Sequence, residues 1–172
     1  STFLNDSNTL AGAQLLQQDV YLFENNPSYS FRFRYQQLTN FSQYSSGNER
    51  ALNIQRSIRA RLGLTSDITA QLDYVIKTDR NIAPVNSVRN RNISGYSVNT
   101  DLAYRPISSI ESGFQFNYTK SDDIYPVKPM TANINQQILR FVYSFTSLGR
   151  LRLEIERDEV ILNTSDTSFP YE

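Results

Sequence analysis

Polar and aromatic residues alternate at every step between Ser28 and Gln36. The aromatic positions are Tyr29, Phe31, Phe33 and Tyr35, and the polar positions are Ser28, Ser30, Arg32, Arg34 and Gln36. Because successive side chains of a strand point to opposite faces, this pattern predicts a strand with one aromatic and one charged face. Tyrosine lies at both ends of the aromatic face, with phenylalanine between. A strand that crosses a membrane shows this order, because amphipathic rings lie at the two lipid–water boundaries.

Similar alternation recurs along the chain and predicts about eight strands. The segments are Asp19–Glu24, Ser28–Gln36, Arg50–Leu64, Ile68–Lys77, Tyr96–Tyr104, Ile110–Tyr118, Gln137–Phe145 and Leu151–Glu156. Helical spacing fits none of them as well. The predicted fold is all-β, an antiparallel up-and-down meander that forms a transmembrane β-barrel or part of a larger one.

Three regions divide the chain in this interpretation. Residues 1–18 form a polar N-terminal segment, residues 19–162 form the barrel hairpins, and residues 163–172 form a C-terminal loop or truncated connection. Within the first region, Leu10–Gln18 could form a short helix or a partial strand. In the third strand, Arg56 interrupts the apolar face, which indicates either a bulge or the end of the lipid-facing part.

The predicted connections alternate between short and long. The short ones are residues 25–27, 65–67, 105–108 and 147–149, and the long ones are residues 38–49, 80–92 and 120–132. Outer-membrane barrels have short periplasmic turns and long external loops, whereas a soluble sandwich has no reason to alternate. With the tight turns in the periplasm, both ends of the strand block would lie outside the cell. Complete barrels usually keep their termini in the periplasm, so we expect a fragment that lacks at least one strand on each side.

Composition removes several classes of function. Lysine plus arginine equals aspartate plus glutamate at 17 each, so no net field recruits nucleic acid. The chain has no cysteine and no histidine, which excludes disulfides, thiolate or imidazole metal ligands and the most common general base. We therefore expect no enzyme activity, no cofactor and no metal. The mean hydropathy of −0.48 does not argue against a barrel, because only half of each barrel strand faces lipid.

The two predicted faces supply the candidate functional residues. The candidates for a lumen-facing wall are Arg32, Arg34, Arg59, Arg61, Asp73, Lys77, Asp101, Glu111, Arg140, Arg152, Glu154 and Glu156. The candidates for a lipid-facing surface are Tyr29, Phe31, Phe33, Tyr35, Leu72, Tyr74, Tyr96, Tyr104, Phe114, Phe116, Tyr118, Phe141, Tyr143 and Phe145. Charges on the inner wall would set a pore's ion preference or hold a plug by ion pairs. The expected partners are the lipid bilayer and further strands of this or another chain, and the expected location is the bacterial outer membrane.

Two alternatives remain. A soluble β-sandwich acting as an adhesin or binding module would pack the aromatic faces together as a core. A hydrolase would use Glu154 and Glu156 as a carboxylate pair, although neighbours on one strand beside Arg152 are more simply a row of charges. Asp122 and Asp123 could bind calcium, but the sequence around them does not reproduce a calcium loop.

Three segments carry a loose resemblance to known proteins. They are QDVYLFENNPSYSFRFRYQQ (Gln18–Gln37), FSQYSSGNER (Phe41–Arg50) and AYRPISSIESGFQFNY (Ala103–Tyr118). They resemble segments near the C-termini of very large, poorly characterised surface proteins of Gram-negative bacteria of the Bacteroidota and Chlorobi type. The resemblance implies outer-membrane barrel strands and a chain that continues beyond Glu172 into further strands. It implies no functional residues.

Overall fold

The computed structural model describes residues 10–44, 47–83, 90–124, 129–145 and 149–164. These residues form eight β-strands. The strands are β1 (Leu10–Leu22), β2 (Tyr29–Tyr44), β3 (Gly47–Gly63), β4 (Ile68–Ile82), β5 (Arg91–Ile107), β6 (Ile110–Asp123), β7 (Met130–Phe145) and β8 (Gly149–Thr164). Within the described ranges, no helix could serve as a membrane span.

The strands form a single antiparallel sheet in the order in which they occur along the chain. Each strand pairs with its neighbour in sequence, and in the described part of the chain β1 and β8 do not pair with each other. The sheet is therefore an open up-and-down meander. This confirms the all-β, antiparallel fold that the alternation of residues predicts.

The N-terminal part of β1 corrects the possible helix at Leu10–Gln18. The segment pairs with β2 along its whole length, from Leu10 opposite Gln43 to Leu22 opposite Phe31. The backbone groups of β1 that face β2 find their partners there, where a helix would have satisfied them internally. The helical alternative is wrong, and the strand extends the predicted Asp19–Glu24 segment towards the N-terminus.

The predicted alternation of short and long connections fails at the β2–β3 connection and holds from the β3–β4 connection onwards. Most of the predicted long link at residues 38–49 belongs to β2 and β3, where Ser42 pairs with Glu49 and Tyr44 with Gly47. The connections run over residues 23–28, 45–46, 64–67, 83–90, 108–109, 124–129 and 146–148. Serine, asparagine and glutamine do not end a strand when the backbone beside them still finds a partner. Parts of the predicted terminal segments and connections lie outside the described residues. These parts are residues 1–9, 45–46, 84–89, 125–128, 146–148 and 165–172.

Arg56 lies in a regular part of the sheet. It pairs with Tyr35 on one side and with Ile76 on the other, without a change of register. The bulge predicted at this position is therefore wrong. The one irregularity of register between the described strand pairs lies between Tyr104 and Ile107, next to the β5–β6 turn.

The sheet has almost no conventional core. Among the described residues the buried hydrophobic side chains are Ala83 and Val142, and many large apolar side chains are exposed. A single sheet buries a face only when a second layer covers it. The two faces of this sheet are therefore its main exposed surfaces.

Candidate functional site: the two faces of the sheet

The register places every predicted lipid-facing residue on one face, which we call the apolar face. One row across the strands illustrates this: Val20 pairs with Phe33, Phe33 with Ile58, Ile58 with Tyr74, Tyr74 with Val98 and Val98 with Tyr118. The neighbouring row contains Phe31, Leu72 and Phe116, which the same pairings connect through Ala60 and Thr100. The prediction from alternation thus extends across strands that are distant in sequence.

Tyrosines border this apolar face at both ends of the strands. We call the end with the connections 23–28, 64–67, 108–109 and 146–148 the turn end, and the opposite end the loop end. Tyr35, Tyr74, Tyr96 and Tyr118 lie towards the loop end, and Tyr29, Tyr104 and Tyr143 lie towards the turn end. At the loop end, three of these tyrosines follow one another across β4, β5 and β6. The ring centroids of Tyr74 and Tyr96 are 6.1 Å apart, and those of Tyr96 and Tyr118 are 5.9 Å apart. Tyrosine rings enriched at both edges of an apolar band are typical of transmembrane barrels.

The apolar band has the length of a membrane crossing. In β4 it runs from Ile68 to Ile76, and in β5 from Tyr96 to Tyr104. A tilted strand needs about 9–11 residues to cross the hydrocarbon core. The strands themselves continue beyond the band towards the loop end, where the same face carries mainly polar residues such as Thr39, Thr78 and Ser94.

The apolar face is uncovered. Ile155 is 70% exposed, Leu153 56% and Leu72 44%, and these residues lie in the middle of the band or at its β8 edge. Soluble monomers rarely expose a continuous apolar surface of more than a few hundred Å². The described residues form one sheet, so the cover for this face must come from lipid, from another chain or from residues outside the described ranges.

The opposite face, which we call the polar face, carries every predicted lumen-facing residue. The pairs Arg32–Arg59, Arg59–Asp73, Lys77–Gln55 and Arg140–Glu154 are direct register partners. Asp101, Glu111 and Glu156 lie on this face as well. The prediction of which residues share a face is thus correct for both sets of candidates, whereas a lumen and a lipid environment stay predictions.

Asp19 is the centre of an ion-pair cluster at the β1–β2 edge of the polar face. The Nε atoms of Arg32 and Arg34 lie 3.2 Å and 2.8 Å from its Oδ1 atom, and Gln17 donates to its Oδ2 atom at 2.8 Å. The Arg32 guanidinium also lies over the Tyr21 ring, 5.0 Å from its centroid. The side chain of Asp19 is only 19% exposed, so this carboxylate depends on its cationic partners for solvation.

Asp73 forms a second cluster on β3 and β4. Arg59 donates from Nε to the Oδ1 atom of Asp73 at 2.6 Å, and Gln71 donates to its Oδ2 atom at 3.1 Å. Arg32, Arg34 and Arg59 line a shallow cleft together with Asp73 and Asn99. The arginines of β2 and β3 therefore lie between Asp19 on β1 and Asp73 on β4, and these two carboxylates partly neutralise them.

Ion pairs and amide contacts continue on β6 to β8. Glu154 is bonded to Arg152, and its Oε2 atom lies 3.8 Å from Nε of Arg140. Gln136 accepts a hydrogen bond from Asn117 at 2.7 Å and donates one to Glu156 at 2.6 Å. Glu154 and Glu156 thus belong to a row of charged and amide groups on an exposed strand, not to a cleft that would give two carboxylates different environments.

Asp19 is the main residue of the polar face that the sequence candidates omit. The sequence places Asp19 in a predicted strand, but its role depends on the register that brings Arg32 and Arg34 to it.

At the loop end, the Oδ1 atom of Asp122 accepts a hydrogen bond from the Thr131 hydroxyl at 2.7 Å, and its Oδ2 atom lies 3.7 Å from Nζ of Lys120. No group of acidic residues in the described ranges is arranged to hold a metal ion.

Comparisons with protein-family models, with curated proteins and with solved structures find no match to this chain.

Proposed function

We propose that this chain forms part of an outer-membrane β-barrel, which acts as a passive conduit or as the membrane anchor of a surface protein. The observation that carries the proposal is the uncovered apolar face with tyrosines at both of its edges. Lipid chains are the cover that suits such a face, because they are apolar in the middle and meet headgroups at both boundaries.

The polar face would then form the inner wall. Its guanidinium and carboxylate groups form ion pairs, such as Asp19 with Arg32 and Arg34, and Arg59 with Asp73. Paired charges of both signs give a hydrated wall without a large net field. A wall of this kind favours passage of polar solutes, or contact with a plug, over strong selection for anions or cations.

The open edges require partners. In hydrocarbon, unpaired backbone groups at β1 and β8 would each cost several kcal/mol. We therefore propose that further strands, from the same or another chain, pair with these edges and close the barrel. Nucleic acid is not an expected partner, since the net charge is zero.

Fractionation of the native full-length protein tests this proposal. After cell lysis, we expect the protein in the outer-membrane fraction, released only by detergent. The detergent-extracted protein should migrate differently on gels when unboiled and boiled, because a closed barrel resists unfolding by the gel detergent. Recovery in the soluble fraction without detergent would contradict the proposal and would favour a sandwich-type binding module, in which a second sheet covers the apolar face.

A further inference from the structure

On each described strand, the charged residues of the apolar face lie on the loop-end side of the apolar run nearest the turn end. They are Arg50, Arg56, Arg80, Lys120, Asp122, Arg157 and Glu159. The described part of this face has no charged residue between these runs and the turn end. The register places Arg56 level with Ile76 and Arg157 level with Phe116, so the charges follow the apolar runs strand by strand and do not lie at one level across the sheet.

The sign of these charges differs between the two halves of the sheet. On β1 to β5, the described charged residues of the apolar face are Arg50, Arg56 and Arg80, and no acidic residue accompanies them. On β6 to β8, Lys120 lies 3.7 Å from Asp122, and Arg157 shares its strand face with Glu159. One half is thus purely cationic, whereas the other is balanced.

The three arginines lie on two neighbouring strands, with Arg50 and Arg80 offset by two residues in register and Arg56 about 20 Å along the strand from Arg50. Arg50 and Arg56 are on β3, and Arg80 on β4 pairs with Leu52, which lies between them on the same face. All three side chains are exposed, and none forms an ion pair with a carboxylate of the described ranges. Three cations that have no carboxylate partner in the described ranges are therefore available for an external anion.

Arg56 connects this cluster with the loop-end tyrosines. It lies in the same row as Tyr35 and Tyr96, and its guanidinium is 6.0 Å from the centroid of the Tyr35 ring. Tyrosine rings at the edge of a membrane band lie at headgroup level, and arginine stems extend along apolar surface with the charged end in the polar region. Arg50 and Arg80 lie further towards the loop end, where phosphate groups would be located.

We propose that Arg50, Arg56 and Arg80 form a binding site for phosphate-bearing lipid headgroups of the leaflet at the loop end. This inference rests on the proposed membrane function. Guanidinium groups form paired hydrogen bonds with phosphate, and basic residues near a membrane surface gain favourable energy from anionic lipids. The charge complementarity selects an anionic lipid as the occupant of this part of the apolar face.

Lipid selectivity of the full-length protein in reconstituted vesicles tests the site. Spin-labelled phosphatidic acid and spin-labelled phosphatidylcholine are compared in phosphatidylcholine vesicles. The fraction of each spin-labelled lipid that the protein immobilises gives their relative association constants. We expect the wild type to prefer phosphatidic acid, and the triple variant Arg50→Gln, Arg56→Gln, Arg80→Gln to lose about tenfold or more of that preference. The triple variant with lysine at the three positions should retain most of it.

A matched control removes the same charge from the other face. Arg61, Lys77 and Arg150 lie on the polar face and form no ion pair within the described ranges. Replacing these three by glutamine should leave the preference for phosphatidic acid unchanged. An equal loss in the control would overturn the site, because the effect would then come from net charge alone.

The remaining outcomes separate this site from the proposed function. Insertion of the wild type without any preference for phosphatidic acid overturns the headgroup site and leaves the barrel proposal standing. Failure of the wild type to insert in any vesicle contradicts the barrel proposal and the site with it. If inorganic phosphate displaces phosphatidic acid at equal concentration, the arginines bind a free anion and the lipid assignment is wrong.

Discussion

Asp19 shows how a single side chain determines the local order of the polar face. It accepts hydrogen bonds from Arg32 and Arg34 on the neighbouring strand and from Gln17 on its own strand. Without its charge, two adjacent guanidinium groups would remain side by side with no carboxylate between them. Asp19 therefore contributes by balancing a like-charge pair as well as by its own hydrogen bonds.

Replacing Asp19 with asparagine should lower the free energy of unfolding by about 1–2 kcal/mol. This value lies between the stability contributed by an exposed ion pair and that contributed by a hydrogen bond to a buried charge, because the arginine partners are partly exposed. Denaturant unfolding of the full-length protein measures the effect. Asp158→Asn is the control, since Asp158 lies on the polar face without an ion pair in the described ranges. Equal losses in the two variants would contradict the role assigned to Asp19.

The sequence predicts the face of an individual residue well but does not predict its partner. Arg34 and Phe33 are assigned to opposite faces by a period of two residues, which needs no knowledge of the rest of the chain. The contact of Arg34 with Asp19 depends on the β1–β2 register, and a shift of one residue would move Asp19 to the other face. Likewise, the sequence alone predicts either a bulge at Arg56 or the end of the lipid-facing part there. Only the regular pairing of Arg56 with Tyr35 and Ile76 excludes the bulge.

At the level of the strands, the apolar runs were predictable and the strand ends were not. Ile68–Ile76 and Tyr96–Tyr104 alternate clearly, and they form the central parts of β4 and β5. Both strands continue into polar residues, because pairing of the backbone extends them beyond the segment that alternation marks. The same effect converts Leu10–Gln18 into strand and shortens the expected long connection between β2 and β3.

The central phenylalanines of the apolar band provide a test at the level of a strand. Placing arginine at Phe33 or Phe116 should destabilise the folded protein in lipid by about 2–4 kcal/mol if the position lies near the bilayer midplane, because a charge there faces hydrocarbon. Equilibrium unfolding from lipid vesicles measures the change.

The matched control for Phe116→Arg is Gln115→Arg, which changes the adjacent residue on the polar face of the same strand. This variant should change the free energy of unfolding by much less, because its charge faces the hydrated wall. Equal stability of the Phe116→Arg and Gln115→Arg proteins would show that both faces of β6 meet a similar environment, against the assignment of lipid to the apolar face.

For the whole molecule, the decisive feature is one open sheet with two faces of opposite character. A sheet that exposes apolar residues such as Leu153 and Ile155 needs a cover, and in the described part of the chain its β1 and β8 edges are unpaired, which further strands would satisfy in the proposed barrel. Composition and alternation were sufficient to predict the all-β meander. They could not predict closure or the number of strands, because edge pairing involves residues beyond the two edge strands.

The environment of successive residues along β2 tests the central claim most directly. The chain has no cysteine, so single cysteines can be placed one at a time from Ser30 to Tyr35 in the full-length protein and labelled with a small fluorophore. In membrane-inserted protein, lipids with brominated chains should quench the probes at Phe31, Phe33 and Tyr35, and aqueous iodide should quench those at the intervening positions. Alternation of the two quenchers with a period of two residues would establish lipid on the apolar face and water on the polar face. Quenching by iodide at all six positions, or no alternation, would contradict the barrel account.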